Sequence, residues 1–443
     1  MSKQITCINF NQDFSCVAIG TNSSYKIFNC DPFGECFEKN DDGGATIIEM
    51  LFSTSLIAIV GNGLSSSSST RRLKIINTKR KSVICELTFP STILNVKLNR
   101  KRLVVVLLDQ IFIYDVSCMK LLHTIETSKN LRGLISLSPS DSSILAYPAP
   151  ASTNILLSPI ASDHNDDHAL NPGSNNNNSI HNNPTNSNVN GSNNNSNNSN
   201  NSGSGSGNSN NGMIILFDAL NIQPINIISA HKSPLISFQL NNEGNLLATA
   251  SIKGTIIRVF NVLQNKKIYE FRRGMAGTLI HSINFNYNSN LLCCSSNNET
   301  IHIFKLSNHQ NNGEFIKKSS GQIQIQKQKQ KQKHSSLSGM FWQHGRNLSK
   351  TLMNNYLPPK LSNILEPVRD FAYIKLPNHN STSSNFNTSG NSTTNTNNHE
   401  VALNHNSNYV MIICNDGNFY IYNVPLEKGG ECVLVKQYFV LDN

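Results

Sequence analysis

The chain has 443 residues and a formal charge of +10, with 37 Lys and Arg against 27 Asp and Glu, yet only 14% of its residues are charged. Length alone predicts two or three domains, but composition removes part of that length from the folded mass. Between positions 171 and 211, 20 of 41 residues are Asn and 10 are Ser, with no aromatic, too little apolar surface to offset the entropy of ordering.

Short β-type runs open the sequence: Cys7–Phe10, Cys16–Gly20 and Tyr25–Asn29, then Ile47–Leu51, Leu56–Gly61, Leu73–Asn77 and Val83–Phe89. Ile93–Leu98, Leu103–Leu108, Ile111–Asp115 and Leu121–Ile125 continue the series. The longest apolar runs are strand-sized, far below the ~18 residues a membrane span needs. No stretch of the folded part keeps a helical period over three turns, and strands at this spacing predict an all-β sandwich, barrel or propeller. A repeated strand decides among these. YKIFN (25–29), LKIIN (73–77), IFIYD (111–115), IILFD (214–218), IIRVFN (256–261), IHIFK (301–305) and FYIYN (419–423) make seven copies. Lys74 to Phe112 spans 38 residues, and later intervals span 43 to 45. That is the period of a four-stranded blade, so the prediction is an all-β, seven-bladed β-propeller.

Three long inserts interrupt it: an Asn/Ser-rich segment at 163–211 in the fourth blade, a Lys/Gln-rich segment at 307–367 in the sixth, and a polar segment at 377–399 before the seventh. Setting them aside leaves about 310 residues, or about 44 per blade. Each insert is read as a surface loop expansion without a packed core.

Chemistry-bearing motifs are sparse. There is no Gly-rich phosphate loop, no GxSxG elbow and no HExxH, so no catalytic residue is assigned and an enzyme is not expected. Ten scattered Cys form no CxxC pair, which predicts neither a disulfide framework nor a metal site, and no cofactor, in a reduced, cytoplasmic protein. Met1–Gly20 has no basic segment followed by an apolar core, so it does not read as a secretory signal.

The most informative segment is Phe271-Arg272-Arg273-Gly274. Neighbouring side chains of a strand point to opposite faces, so the two Arg would each line a different pocket, and guanidinium groups hold phosphate through paired hydrogen bonds. Hydroxyl, His and Arg side chains recur around them, in AHKS (230–233), LATASIKGTIIRVF (247–260), Gly277-Thr278 and SSNNETIH (295–302). These groups suit a phosphorylated polyhydroxyl ring.

With FRRG, LATASxKGTxIRVF and ETIHIF, the chain resembles the PROPPIN family, β-propellers that bind polyphosphoinositides, over essentially all its folded parts. RRLKIINTKRK (71–81), SYKIFNCDPFG (24–34), YLPPK (356–360) and RDFAYIKLP (369–377) resemble an autophagy-related subtype. The resemblance implies two headgroup sites for phosphatidylinositol 3-phosphate and phosphatidylinositol 3,5-bisphosphate. Carried onto matching positions, the first takes His231, Ser251, Thr255, Arg258 and Arg272, and the second Arg273, Thr278, Ser296, Thr300 and His302. It also implies peripheral attachment to preautophagosomal, vacuolar and endosomal membranes.

Within the sixth-blade insert, Phe341, Trp342, Leu348, Leu352, Met353 and Tyr356 fall largely at helical spacing, with Arg346 and Lys350 between them. That pattern fits an amphipathic helix lying among lipid headgroups, and the family inserts the corresponding loop. Upstream, Lys317–Lys333 carries six Lys and no acid, an electrostatic aid to anionic bilayers. Arg71, Arg72, Lys74, Lys79, Arg80 and Lys81 form a second basic cluster. Without an aromatic stacking platform it makes a poor nucleic-acid site. In the family the adjoining loop docks autophagy-related protein two, which makes Arg71 and Arg72 candidate partner contacts, although Thr70-Arg71 replaces the family's Pro-Arg pair. The alternative reading is a propeller scaffold that binds proteins only.

Overall fold

A computed structural model describes residues 4–40, 43–65, 68–150, 212–306, 367–377, 399–404 and 408–441. These form seven sheets, each built on four antiparallel strands in chain order and numbered one to seven along the chain. All seven repeated strands are present, each third in its sheet, from Tyr25–Cys30 in sheet one to Asn418–Asn423 in sheet seven. The protein is a seven-bladed β-propeller, and no helix occurs among the described residues.

The burial of each strand follows from its place in the blade. Second strands are covered on both faces by neighbouring sheets, so they are largely apolar: every residue of Arg102–Val106 and Cys16–Thr21 is buried. Third strands alternate, and outer strands such as Ser82–Thr88 and Val433–Phe439 are mostly exposed. In six sheets the third and outer strands slip register at one point, for example Val259/Phe260 in sheet five. Such bulges increase the local twist.

A few strand ends differ from the sequence expectation because backbone groups leave the ladder. Ile93 and Leu94 precede the strand Asn95–Leu98; the Ile93 amide bonds Thr70 of sheet two instead. Leu107 and Leu108 lie past Arg102–Val106, where the Leu107 amide closes a turn onto Gln110.

The apolar core is divided into seven seams, one between each pair of adjacent sheets. Sheet seven is built wholly from C-terminal strands and sheet one wholly from N-terminal strands, so side chains rather than a shared strand close the ring. Phe33 is the hub of that closure, stacked on Phe28, Phe419 and Tyr438 with ring centroids 5.4, 5.1 and 4.2 Å away. The first strands surround a polar cavity lined by Asn9, Glu49, Lys97, Gln239, Asn284 and Glu400 among others.

The strands flanking the Asn-rich segment, Ile144–Pro148 and Met213–Asp218, pair as second and third strands of sheet four. Those flanking the Lys/Gln-rich segment, Thr300–Lys305 and Ala372–Lys375, pair as third and fourth strands of sheet six. A two-residue strand, Gly430–Glu431, adds in parallel to the edge of Ala372–Lys375.

Candidate phosphate-binding seams around the fifth blade

The outer strand of sheet five, Lys266–Arg272, ends on the first Arg of the pair, and Arg273 follows it directly. Register fixes its faces: Phe271 pairs with Ile257, Arg272 with Ile256 and Glu270 with Arg258. Phe271 points into the seam with sheet six, where it stacks on Phe304 at 4.7 Å. Alternation therefore turns Arg272 and Glu270 toward sheet four and returns Arg273 to the sheet-six side.

On the sheet-four side, Thr249, Arg258, Glu270 and Arg272 share one face, and Ser251 follows by the same alternation. His231 reaches that face from the end of sheet four, with Nε2 3.0 Å from Thr249 Oγ1. Burial, with Arg258's charge second, pushes the His231 pKa down to about 4, so its imidazole is neutral near pH 7. Arg258 donates Nε to Glu270 Oε2 at 2.9 Å and Nη1 to the Ala230 carbonyl at 2.7 Å. Lys267 holds the same carboxylate oxygen at 2.5 Å. Arg272 is half-buried, and its guanidinium has no hydrogen-bond partner among the described residues. Thr255 contributes its carbonyl, which accepts from the Arg273 amide at 2.9 Å.

On the sheet-six side, Arg273 is 5% exposed. It donates Nε to the Gly254 carbonyl at 2.7 Å and Nη2 to the Ala276 carbonyl at 2.5 Å. Burial lowers its pKa. Gly254 turns the loop there with φ +59°, and a Cβ at that position would collide with the Thr278 carbonyl. Thr278 Oγ1 lies 3.4 Å from Asn298, whose amide reaches Ser296 Oγ at 3.4 Å. Ser296 and Thr300 lie on the same face of sheet six as Cys294 and His302, which are paired with each other; Cys294 belongs to the seam with sheet five. His302 Nδ1 bonds Asp370 Oδ2 at 2.9 Å.

Four of the first set, His231, Ser251, Arg258 and Arg272, thus lie along the sheet-four seam, Thr255 contributes its carbonyl at the strand end, and the second set gathers on the sheet-six side. Two features depart from simple phosphate readers. Arg258 already spends part of its fork on Glu270, and Arg273 is tied to loop carbonyls, so replacing Arg273 leaves the Gly254 and Ala276 carbonyls without this donor. Glu270, Thr249 and Asp370 are not among the residues the sequence assigns to either site. Two-residue spacing puts Glu270 on the Arg272 face, but its pairing with Arg258 needs the register.

Of the predicted partner residues, Arg72 opens the third strand of sheet two and Arg71 immediately precedes it. Arg71 Nε donates to the Phe89 carbonyl at 3.2 Å, and Arg72 lies 3.7 Å from Glu86. The membrane-insertion residues Phe341, Trp342, Leu348, Leu352 and Tyr356 lie outside the described residues. No helix among the described residues is long and apolar enough to cross a membrane.

These features define a seven-bladed propeller with cationic, hydroxyl-rich seams flanking one outer strand. A family model described as PROPPIN matches residues 4–164 and 178–441. The chain is 44% identical to "Autophagy-related protein 18" of Yarrowia lipolytica, covering 100% of this chain and 98% of that one. It is 40% identical to "Autophagy-related protein 21" of Pichia angusta, with 97% and 98% covered. The chain belongs to the PROPPIN family. A solved complex of KlAtg21 with the coiled-coil of AgAtg16 superposes with TM-score 0.62 at 30% identity, 99% of each chain covered. Hsv2 of Kluyveromyces marxianus shares the fold, with TM-score 0.61 at 15% identity and both chains fully covered.

Proposed function

We propose that this protein is a non-catalytic effector of membranes carrying 3-phosphorylated phosphoinositides. It binds the headgroups of phosphatidylinositol 3-phosphate and phosphatidylinositol 3,5-bisphosphate in the two seams beside sheet five. The observation that carries this reading is the divergence of two consecutive Arg into opposite seams, each with a His and hydroxyl side chains. The guanidinium groups neutralise phosphate while hydroxyl and imidazole groups bond ring hydroxyls or phosphate oxygens. Two weak sites on one rigid body gain strength on a bilayer through effective concentration. A test is calorimetric titration with soluble inositol 1,3-bisphosphate. Two binding events per chain are expected, falling to one in Arg272→Thr; a single event unaffected by that substitution would refute the two-seam arrangement.

In this reading the sixth-blade insert adds a third attachment through Trp342 and its neighbours. Trp342→Ala should weaken vesicle binding while leaving soluble-headgroup affinity unchanged, and an equal loss in both would remove the insertion role. The lipid-bound propeller then recruits autophagy-related protein two through Arg71 and Arg72 at preautophagosomal, vacuolar and endosomal membranes. The alternative, a protein-binding scaffold without lipid affinity, draws on one observation: the related KlAtg21 is solved in complex with a coiled-coil.

A further inference from the structure

We propose that Asp370 is a positioning residue of the seam between sheets five and six, fixing His302 so that Nε2 is the nitrogen presented to a phosphorylated inositol headgroup. This rests on the phosphoinositide reading above. The segment carrying Asp370 is held at both ends. On one side Val368 bridges the outer strand of sheet five: its amide donates to Glu270 at 3.2 Å, and its carbonyl accepts from the Arg272 amide at 2.8 Å. On the other, Phe371 donates to Ile303 at 2.8 Å and accepts from Gly430 at 2.9 Å. Asp370 lies between these anchors, so its backbone is set by the same strand that carries Arg272 and by the strand that carries His302.

The bond itself restricts the imidazole. An ionised carboxylate only accepts, so Nδ1 of His302 carries the proton in the 2.9 Å contact with Asp370. Nε2 then has no hydrogen-bond partner among the described residues, and the His302 side chain keeps part of its surface open to solvent. In the neutral ring Nε2 accepts from an inositol hydroxyl; in the protonated ring it donates to a phosphate oxygen, with Asp370 balancing the charge. The His302 and Asp370 side chains are 12% and 24% exposed, so the bond is largely shielded from competing water and holds the ring in one orientation. With the Val368 bridge, it ties the segment that follows the 307–367 insert to sheets five and six.

The test uses the full chain, soluble inositol 1,3-bisphosphate as probe, and an Arg272→Thr background that leaves the second seam as the one read. Asp370→Ala should weaken binding about tenfold, the scale of a lost charge-assisted hydrogen bond. Asp370→Ala combined with His302→Ala should bind no worse than His302→Ala alone, because the two act as one unit. Asp370→Asn keeps an acceptor on Nδ1 and should stay within about threefold of the parent. Imidazole 15N spectra, with His302 assigned by its loss in His302→Ala, should show the Nδ1–H tautomer in the parent and in Asp370→Asn, and Nε2–H in Asp370→Ala. Unchanged binding by Asp370→Ala, losses that add to those of His302→Ala, or a tautomer that ignores Asp370 would each overturn the proposal. If replacing Arg272 and Arg273 together leaves headgroup binding intact, the phosphoinositide reading falls and takes this one with it. If that pair abolishes binding while Asp370→Ala does not weaken it, the positioning role alone fails.

Discussion

Arg258 and Glu270 face each other across the third and outer strands of sheet five, Nε to Oε2 at 2.9 Å, with Lys267 on the same carboxylate. Burial alone would raise the Glu270 pKa, but hydrogen bonds from Lys267 and Arg258 outweigh it and hold the carboxyl below its usual range. The seam toward sheet four thus contains a counter-charge that competes with any phosphate for Arg258. Glu270→Gln removes the charge while keeping an acceptor for Nε, and Arg258 stays anchored on the Ala230 carbonyl. Headgroup affinity should rise about threefold at low salt, within the range of part-exposed ion pairs, and the gain should fade as salt screens it. Titration at two ionic strengths checks this; weaker binding would show that Glu270 serves the ligand through Arg258's orientation.

The two Arg of the pair should separate in a melting experiment. Arg273 is buried and satisfies the Gly254 and Ala276 carbonyls, so Arg273→Ala should cost about 1–3 kcal/mol through acceptors left unpaired. Arg272→Ala breaks no side-chain hydrogen bond among the described residues and should melt with the wild type. Equal melting temperatures for the two variants would contradict the assignment.

Acid should destabilise the protein partly through His231. Its folded pKa of about 4 lies below its unfolded value of about 6.5, so protons bind the unfolded chain preferentially. The stability it supports above pH 6.5 is lost as pH falls toward 4, amounting to about 2 kcal/mol at pH 5. His399, also pushed down to about 4 by burial, acts in the same direction. Glu400, pushed up to about 7 by burial, acts oppositely, gaining its proton in the folded state first. Denaturant unfolding of His231→Gln should therefore lose less stability between pH 7 and 5 than wild type does. A parallel loss would place the His231 titration elsewhere.

Ring closure makes a separate prediction. Phe33 stacks on Phe28 within its own sheet and on Phe419 and Tyr438 across the seam between the first and last sheets. Phe33→Ala should cost about 3 kcal/mol, the scale of a large-to-small core truncation. Hydrogen exchange should rise first in Tyr25–Cys30 and Asn418–Asn423. Uniform exchange across all seven sheets would mean that this seam is no weaker than the rest.

The blade count was legible because one strand type repeats. The shared order of one apolar residue, one Lys or Arg, two apolar residues and Asn in YKIFN, LKIIN and IRVFN marks one strand type flanked by two sheets, and seven related copies give seven blades. The opposite facing of Arg272 and Arg273 was legible for the same reason, since it follows from a two-residue period. Asp370 was not, because it meets His302 across 68 residues that include the whole sixth-blade insert, and no local pattern encodes such a pairing. Nor was the locking of Arg273, which depends on two carbonyls of a loop whose path is set by Gly254.

The central claim is that the Arg pair reads a 3-phosphorylated lipid headgroup, and vesicle flotation tests it most directly. Wild-type protein should float with vesicles containing phosphatidylinositol 3-phosphate and stay behind with vesicles containing phosphatidylinositol alone. Protein carrying Arg272→Thr and Arg273→Thr, assayed below its melting temperature, should stay behind with both. Flotation of the double variant equal to that of wild type would contradict the account.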